Sequence, residues 1–203
     1  MSPRETTAAI VLAGGAASRF GADKLAVELD GRPLLHHALM AVDEVAMTIA
    51  LVLAPDAVAP ALPPLRARIL LAHDLATHQG PLAGLAAGLA SLPPGIDRAV
   101  LVGGDMPALV PDVLRRLLDA LEADPSLGAS TLEAEPTASL PMAVRPSIVG
   151  AAAGELLVEG RRALRGLLVR VPAAVVPAAD WRALDPDART LRDVDTRRDL
   201  FSR

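Results

Sequence analysis

Short apolar runs without alternating polar residues recur along the first half of the chain, and helical segments separate them. The runs are Thr7–Ala13, Thr48–Leu53, Ala67–Leu71 and Arg98–Val102. A strand of this kind carries apolar side chains on both faces, so both of its faces must be covered. Because such strands are typical of sheets packed between layers of helices, the pattern predicts an α/β fold.

The segments between these runs have helical spacing and residues that favour helix starts. The helical candidates are Pro33–Val42, Gly80–Leu92 and Pro111–Asp124. In the last of them, Pro111 suits the first turn, and a valine and several leucines recur at helical spacing. Strands that alternate with helices predict βαβ units and a mostly parallel sheet.

The second half of the chain has a less regular pattern. Its strand and helix candidates are, in order, Gly128–Leu132, Ala138–Val144, Pro146–Val158, Arg161–Val169 and Ala173–Val176. The segment from Ala54 to Leu65 has the composition of a linker, but it is short enough to be a loop within one sheet, which we favour. We therefore predict a single domain over residues 1–203.

Composition excludes several classes of function. The chain has no cysteine, and hence no disulfide framework or cysteine-ligated zinc. Its net charge of −4 and its small aromatic set (one Trp, two Phe) argue against a nucleic-acid partner. The first apolar run is too short for a membrane span and lacks a signal-peptide layout. We expect a cytoplasmic protein with no membrane partner.

The first predicted strand leads into a glycine loop with two cationic side chains. Gly14 and Gly15 permit close approach of a ligand to backbone N–H groups, and Arg19 and Lys24 follow them. Arginine and lysine both suit phosphate oxygens. The spacing is neither that of a P-loop nor that of a dinucleotide fingerprint. The loop therefore favours a nucleotide-phosphate cradle, with a glycine turn carrying solvated cations as the alternative.

Single carboxylates follow two other predicted strands. Asp105 comes after Gly103 and Gly104, where it is well placed to hold Mg²⁺ against substrate phosphates. A turn aspartate that accepts backbone N–H bonds is the alternative interpretation. Asp74 precedes the segment Gly80–Gly84, whose glycines indicate either a tight helix entry or close packing of a helix on the sheet.

The C-terminal segment adds two more carboxylates, Asp193 and Asp195. They are candidates for ligand binding, and a turn or a helix cap is the alternative, because Thr196 to Asp199 resembles a capping box. The four histidines show no metal-ligand spacing, and no nucleophile elbow is present.

Taken together and in this order, these motifs resemble the MobA-like nucleotidyltransferase family, which contains the molybdenum cofactor guanylyltransferase. The residues that carry the resemblance are Leu12–Lys24, Gly80–Gly84, Asp105–Pro107 and Asp193–Leu200. They span nearly the whole chain. The resemblance implies a Rossmann-like nucleotidyltransferase fold, in which a mostly parallel central sheet and its flanking helices form three layers.

The resemblance also implies an activity and its partners. GMP would be transferred from GTP to the molybdopterin form of the molybdenum cofactor, with Mg²⁺ as cofactor and pyrophosphate as the second product. GTP and the molybdenum cofactor would be the small-molecule partners. Transient contacts with other proteins of cofactor biosynthesis are a further expectation.

The same resemblance assigns roles to individual residues. Arg19, Lys24 and Asp105 would be catalytic, and Asp105 and Asp195 would bind the metal. The residues implied to bind the nucleotide are Leu12, Ala13, Gly14, Gly15, Lys24, Asp74, Gly80, Pro81, Gly84 and Asp105.

One departure from the family pattern leaves the base open. Asp193 and Asp195 stand where the guanylyltransferase usually has asparagines, and an aspartate at the second position resembles the related cytidylyltransferase. The segments Leu12–Gly15 and Gly80–Gly84 instead resemble the guanylyltransferase, and the loop lies nearer the base, so guanine is favoured. Two further interpretations are a sugar-1-phosphate nucleotidyltransferase and a non-catalytic nucleotide-binding accessory protein.

Overall fold

A seven-stranded sheet forms the centre of the computed structural model, which describes residues 4–14, 24–74, 80–135, 138–196 and 199. The strands are β1 (Thr7–Leu12), β2 (Glu28–Leu29), β3 (Arg32–Pro33), β4 (Thr48–Leu53), β5 (Arg68–His73), β6 (Arg98–Gly103), β7 (Ala129–Leu132), β8 (Met142–Val144) and β9 (Ala173–Val176). The helices are α1 (Leu34–Asp43), α2 (Pro81–Ser91), α3 (Pro111–Glu122), α4 (Pro146–Val158), α5 (Arg165–Arg170) and α6 (Ala178–Arg182). Strands β2 and β3 form a separate hairpin.

The order of the large sheet is β5-β4-β1-β6-β8-β7-β9. Its first four strands are parallel, β7 and β9 are parallel, and β8 is antiparallel to both of its neighbours. The predicted mostly parallel sheet is therefore confirmed.

Strand β1 is buried on both faces, as its continuous apolar sequence predicts. Ala9 and Val11 belong to the core beneath α1 and α3, whereas Ala8 and Ile10 belong to the core beneath α2 and α4. All four side chains are inaccessible to solvent. The sheet is thus the middle of three layers, as expected.

The Pro- and Ala-rich segment Ala54–Leu65 is a loop within the sheet, because it joins the neighbouring parallel strands β4 and β5. Beyond it, the buried carboxylate of Asp43 accepts the backbone N–H groups of Arg66 and Ala67 at 3.0 and 2.7 Å. These bonds fix the return of the chain into β5.

Several element boundaries differ from the prediction. The strand expected over 138–144 forms only at Met142–Val144, and the helix expected from Arg161 begins at Arg165. At the latter site Gly160 has φ +75° and the N–H of Arg161 donates back to Leu156, which ends one helix before the next begins. Neither the β2–β3 hairpin nor α6 was predicted.

The strand order reverses at β1. The chain passes from β1 to β4 and β5 on one side and then crosses to β6 on the other side of β1. Open α/β sheets bind ligands at such a reversal, beyond the carboxyl ends of the strands. Because β1, β5 and β6 share one direction, the residues that follow them emerge at the same edge of the sheet.

In the described part of the chain, no helix has the length and apolar character to cross a membrane.

Candidate active site

Three charged side chains converge where β1 and β6 end. The ammonium of Lys24 donates to Asp105 Oδ2 at 2.8 Å and to Asp195 Oδ1 at 3.0 Å. These partners lie 81 and 171 positions away along the chain, so only the fold brings them together. The Lys24 side chain is 14% exposed, whereas that of Asp195 is 60% exposed. The Lys24 ammonium is therefore more buried than the two carboxylates, which lie nearer to solvent.

Electrostatics stabilise the charged form of Lys24. Desolvation by the surrounding protein acts to lower its pKa, but the hydrogen bonds and charges of Asp105 and Asp195 outweigh it, so the pKa of Lys24 is raised. For nearby Asp193, in contrast, the surroundings disfavour the charged form. Partial desolvation, followed by the negative charges of Asp195 and Asp105, raises the pKa of the Asp193 carboxyl. The negative charges of Asp105 and Asp195 therefore favour the charged form of Lys24 and disfavour the charged form of Asp193.

The C-terminal segment is anchored to this cluster through its backbone. The N–H of Val194 donates to the carbonyl of Asp105 at 3.0 Å, and the Val194 side chain packs against Leu34. One Asp199 oxygen accepts the N–H groups of Asp195 and Thr196 at 2.9 and 2.6 Å. This arrangement supports the predicted capping-box interaction at Thr196 and Asp199, and it holds Asp195 beside Asp105.

The end of β1 is tied to the strands on either side of it. The Leu12 carbonyl accepts the N–H of Gly104 at 2.9 Å, and the Ala13 N–H donates to Val52 at 2.7 Å. These two backbone groups of the predicted nucleotide-binding residues are thus engaged within the protein. Gly14 follows them without such a bond among those described.

A second group of predicted residues lies on the β4–β5 side of β1. A Cβ placed on Gly14 would lie 3.3 Å from Asp74 Oδ2, and one placed on Gly84 would lie 3.7 Å from Asp74 Oδ1. The Asp74 carboxylate is therefore bordered by two glycine backbones. Its Oδ1 is buried and has no hydrogen-bond partner among the described residues. Burial raises the pKa of Asp74, because desolvation disfavours the charged carboxylate.

Glycines also let α2 approach the sheet closely. Added Cβ atoms would lie 2.8 Å from Leu12 Cδ2 at Gly84 and 2.5 Å from Ile10 Cγ2 at Gly88. The packing role predicted as one option for Gly84 is thus present, together with its position beside Asp74. At the start of the helix Gly80 has φ +80°, a conformation that favours glycine, and Pro81 follows it.

The structure brings most of the predicted site residues to one edge of the sheet, in two groups. Lys24, Asp105 and Asp195 form the first group; Gly14, Asp74 and Gly84 form the second. Gly15 and Arg19 lie outside the described residues. The rings of the three described histidines, His36, His37 and His73, hydrogen-bond to the backbone carbonyls of Ala61, Leu29 and Ala57, respectively.

Sequence reasoning did not single out Val194, and it treated Asp199 only as a helix cap. Val194 is 4% exposed, and the signal that could have found it is an apolar residue between two aspartates. Arg162 was also missed. Its carbonyl accepts the N–H of Leu82 at 3.1 Å, which joins the loop before α5 to the first turn of α2.

The first group fits a divalent cation of the Mg²⁺ type. No set of three or more His, Cys, Asp or Glu side chains gathers as a metal-ligand cluster among the residues described. Mg²⁺ in nucleotide enzymes, however, takes one or two carboxylates and completes its shell with water and phosphate oxygens. Asp105 and Asp195 already share one cationic centre, the Lys24 ammonium. Their donor atoms are therefore arranged for a common cation.

Comparison with known families identifies the chain. Residues 9–175 match the MobA-like NTP transferase domain. The chain belongs to this family. The match includes the whole glycine loop, Asp74, the Gly80–Gly84 segment and Asp105, which confirms the resemblance predicted from the motifs.

Two relatives of the MobA-like domain illustrate the similarity. Over 132 residues the chain is 32% identical to the molybdenum cofactor guanylyltransferase of Rhizobium leguminosarum bv. trifolii (strain WSM2304). This alignment covers 64% of this chain and 59% of that protein. Over 117 residues it is 34% identical to the molybdenum cofactor guanylyltransferase of Rhizobium johnstonii. This second alignment covers 57% of this chain and 52% of that protein. The chain thus spans between about half and three fifths of the length of these relatives.

A solved structure confirms the fold expected for the family. Molybdopterin-guanine dinucleotide biosynthesis protein A from Archaeoglobus fulgidus superimposes with a TM-score of 0.75, at 21% sequence identity. The alignment covers 96% of this chain and 95% of that chain. The Rossmann-like nucleotidyltransferase architecture is therefore confirmed.

Proposed function

We propose that this protein is a molybdenum cofactor guanylyltransferase, which transfers GMP from GTP to the molybdopterin form of the cofactor. The observation that carries the proposal is the convergence of Lys24, Asp105 and Asp195 at the point where the strand order reverses. Family membership and the guanylyltransferase relatives support the same activity.

The proposed reaction needs no protein nucleophile. A terminal phosphate oxygen of the acceptor attacks the α-phosphorus of GTP and forms a new P–O bond. The bond between the α-phosphorus and the oxygen that bridges to the β-phosphorus breaks, and pyrophosphate departs with that electron pair. The protein must align these groups and neutralise the charge that builds on them.

The first group of residues has the charges for this task. Lys24 would bind phosphate oxygens and stabilise the departing pyrophosphate, and Arg19 would assist it. Asp105 and Asp195 would hold Mg²⁺. When bound there, Mg²⁺ supplies positive charge that the reacting phosphates share.

The second group would face the nucleoside. Gly14 and Gly84 have no side chain, and Oδ1 of the Asp74 carboxylate between them receives no hydrogen bond from the part of the chain that the structure describes. A ribose hydroxyl or a base N–H group would provide one. Gly15, Gly80 and Pro81 would complete the binding surface, along with the backbone at Leu12 and Ala13.

Pyrophosphate release tests the proposal. We expect release from GTP with the molybdenum cofactor as acceptor and Mg²⁺ present, and little release from CTP. Lys24→Ala and Asp105→Ala should lose transfer while they remain folded, and Asp195→Asn should be more harmful than Asp193→Asn. Asp112→Ala on α3 is the matched control, because Asp112 is exposed and pairs with Arg115 on the same helix. Full activity in Lys24→Ala or Asp105→Ala would contradict the assignment.

Asp195 supports a second candidate, the cytidylyltransferase of the same pathway, because that enzyme resembles this chain at the second C-terminal aspartate. A thermal-shift panel of GTP, CTP, UTP and ATP with Mg²⁺ separates the two, since a bound nucleotide stabilises the folded state by mass action. Stabilisation by CTP in preference to GTP would reverse the proposed base.

The remaining parts of the proposal concern the setting of the reaction. We place the protein in the cytoplasm, with transient contacts to other proteins of cofactor biosynthesis. Fractionation of the source cells tests the location, and cross-linking in those cells tests the contacts.

A further inference from the structure

Lys24 is the only lysine in the chain, and positive side-chain charge elsewhere comes from arginine. This single ammonium lies between the two carboxylates that the proposed function assigns to a divalent cation, 2.8 Å from Asp105 and 3.0 Å from Asp195. An ammonium is a compact point charge on a flexible stem, unlike the planar guanidinium of arginine. A lysine ammonium can therefore occupy the position of a small cation between two carboxylates more closely than an arginine guanidinium can.

The backbone of Lys24 is held while its head group extends away. Lys24 begins a short 3-10 turn over Lys24–Ala26, and its carbonyl accepts the N–H of Val27 at 3.3 Å. The four-carbon stem carries the ammonium from this turn to the carboxylates. A change of side-chain rotamer would therefore move the charge without any rearrangement of the strands.

A divalent cation and an ammonium cannot share one position between two carboxylates. They are like charges, and each needs the same oxygen atoms. A triphosphate offers Lys24 a larger number of negative oxygens than Asp105 and Asp195 do. Its arrival would give the ammonium a second place to bind and would leave the carboxylate pair open.

We propose that Lys24 closes the Asp105–Asp195 pair to free divalent cations and releases it when a bound triphosphate takes the ammonium. This inference rests on the proposed function, because the phosphate-bearing substrate is what competes for Lys24. Cation binding is then conditional on nucleotide binding. The protein would not bind Mg²⁺ at this pair until GTP is in place.

Binding of Mn²⁺ alone, measured by electron paramagnetic resonance without nucleotide, tests the first half of the inference. Lys24→Met should bind Mn²⁺ at least about tenfold more tightly than the wild type, since two charge-assisted bonds no longer compete. Arg192→Met is the control for loss of one positive charge, because the Arg192 guanidinium donates to the Asp187 carbonyl. It should bind Mn²⁺ as the wild type does. Equal affinity in the wild type and Lys24→Met would overturn the inference, and so would an equal gain in Arg192→Met.

Nuclear magnetic resonance of the single lysine tests the second half. Lysine labelled with ¹³C at Cε gives one signal, that of Lys24, because the chain contains no other lysine. We expect this signal to shift when GTP is added in the presence of a chelator that removes divalent cations. It should not shift when Mg²⁺ is added without GTP. A shift with Mg²⁺ alone, or none with GTP, would overturn the inference.

The two failures can be told apart. The Mn²⁺ measurement involves neither nucleotide nor turnover, so its outcome does not depend on the proposed reaction. An enzyme that releases pyrophosphate from GTP but binds Mn²⁺ equally with and without Lys24 keeps the proposed function and loses this inference. A protein that releases no pyrophosphate with any acceptor, while Lys24→Met gains Mn²⁺ affinity, shows the reverse.

Discussion

The backbone N–H of Val194 donates to the carbonyl of Asp105 at 3.0 Å and so joins the C-terminal segment to the loop after β6. Asp195 is the next residue, and this bond limits how far its carboxylate can move from that of Asp105. Asp199 limits it further by accepting the N–H of Asp195. The two candidate metal ligands are therefore positioned by the backbone and do not depend on their shared lysine alone.

Val194→Ala should loosen this connection. Val194 is 4% exposed and packs against Leu34, so the loss of two methyl groups should cost about 1–2 kcal/mol and lower Tm by roughly 2–8 °C. Binding of GTP with Mg²⁺ should weaken as well, because Asp195 is less well held. Val158→Ala is the matched control, since Val158 is 91% exposed, and its Tm should stay within about 1 °C of the wild type. Equal Tm values for the two variants would contradict the prediction.

Gly103→Ala should harm catalysis more than stability. A Cβ at Gly103 would overlap Asp105 Oδ1 and lie 3.3 Å from Met106 Cγ. The carboxylate can rotate away at small cost, but it then leaves Lys24, so we expect transfer activity to fall roughly 10²-fold. Pyrophosphate release and thermal unfolding, measured together, separate these effects.

The control for that variant is Gly150→Ala on α4, where an added Cβ meets no atom within 4 Å. Its activity should equal that of the wild type, and its Tm should stay the same or rise slightly because alanine favours helices. Unchanged activity in Gly103→Ala would show that the position of the Asp105 carboxylate does not matter for transfer.

The sequence predicted those features of the fold that depend on local pattern. Buried parallel strands such as Thr7–Leu12 are recognisable by their continuous apolar residues, and the glycines after them indicate loops. The reversal of strand order at β1 was not predicted, because it depends on which strands pair across the whole chain. The β2–β3 hairpin was missed although Asp30 and Gly31 form its turn with positive φ, since two-residue strands leave almost no hydrophobic signal.

The candidate site was predictable residue by residue but not in its arrangement. Motif resemblance selected Lys24, Asp105 and Asp195 separately, and no local pattern indicated that one ammonium bonds to both carboxylates. Nor did it indicate the Val194–Asp105 bond, because backbone hydrogen bonds leave no trace in residue identity. The buried Oδ1 of Asp74 likewise becomes visible only when Gly14 and Gly84 are placed around it.

Asp74→Asn should stabilise the fold and weaken nucleotide binding. Burial raises the pKa of Asp74, so the ionised carboxylate opposes folding at neutral pH, and this penalty disappears as pH falls below the pKa of an unfolded aspartate. Removing the charge should raise the Tm at neutral pH, because a neutral amide costs less to desolvate than a carboxylate. The gain should be absent in acid. The added stabilisation by GTP should shrink, because the amide oxygen of asparagine is a weaker acceptor for the nucleoside than the proposed carboxylate.

Thermal unfolding at neutral and acid pH, with and without GTP, measures these effects. Asp56→Asn is the control, since Asp56 is an exposed residue of the loop between β4 and β5. It should change neither the Tm nor the response to GTP. A lower Tm for Asp74→Asn at neutral pH would contradict the prediction about burial, and an unchanged response to GTP would contradict the nucleoside role.

The connection at Asp199 should respond to pH in the opposite sense. Hydrogen bonds from Thr196, chiefly from its backbone N–H, hold the pKa of Asp199 below its usual range. A carboxyl with a lowered pKa contributes stability above its unfolded pKa and loses that contribution as pH falls through the folded pKa. The backbone N–H signals of Asp195 and Thr196 should therefore shift together in nuclear magnetic resonance, with a midpoint below the usual aspartate range.

Asp199→Asn should abolish this shared titration. Asp124 provides an internal control in the same spectra, because it accepts the N–H of Ser126 at 2.8 Å and its pKa is also lowered by that residue. The Ser126 signal should titrate in both the wild type and the variant. If the Asp195 and Thr196 signals still shift in Asp199→Asn, another acid controls the segment. Because Asp195 is one of two carboxylates proposed to hold the cation, adding Asp199→Asn to the Lys24→Met variant should also weaken its Mn²⁺ binding at neutral pH.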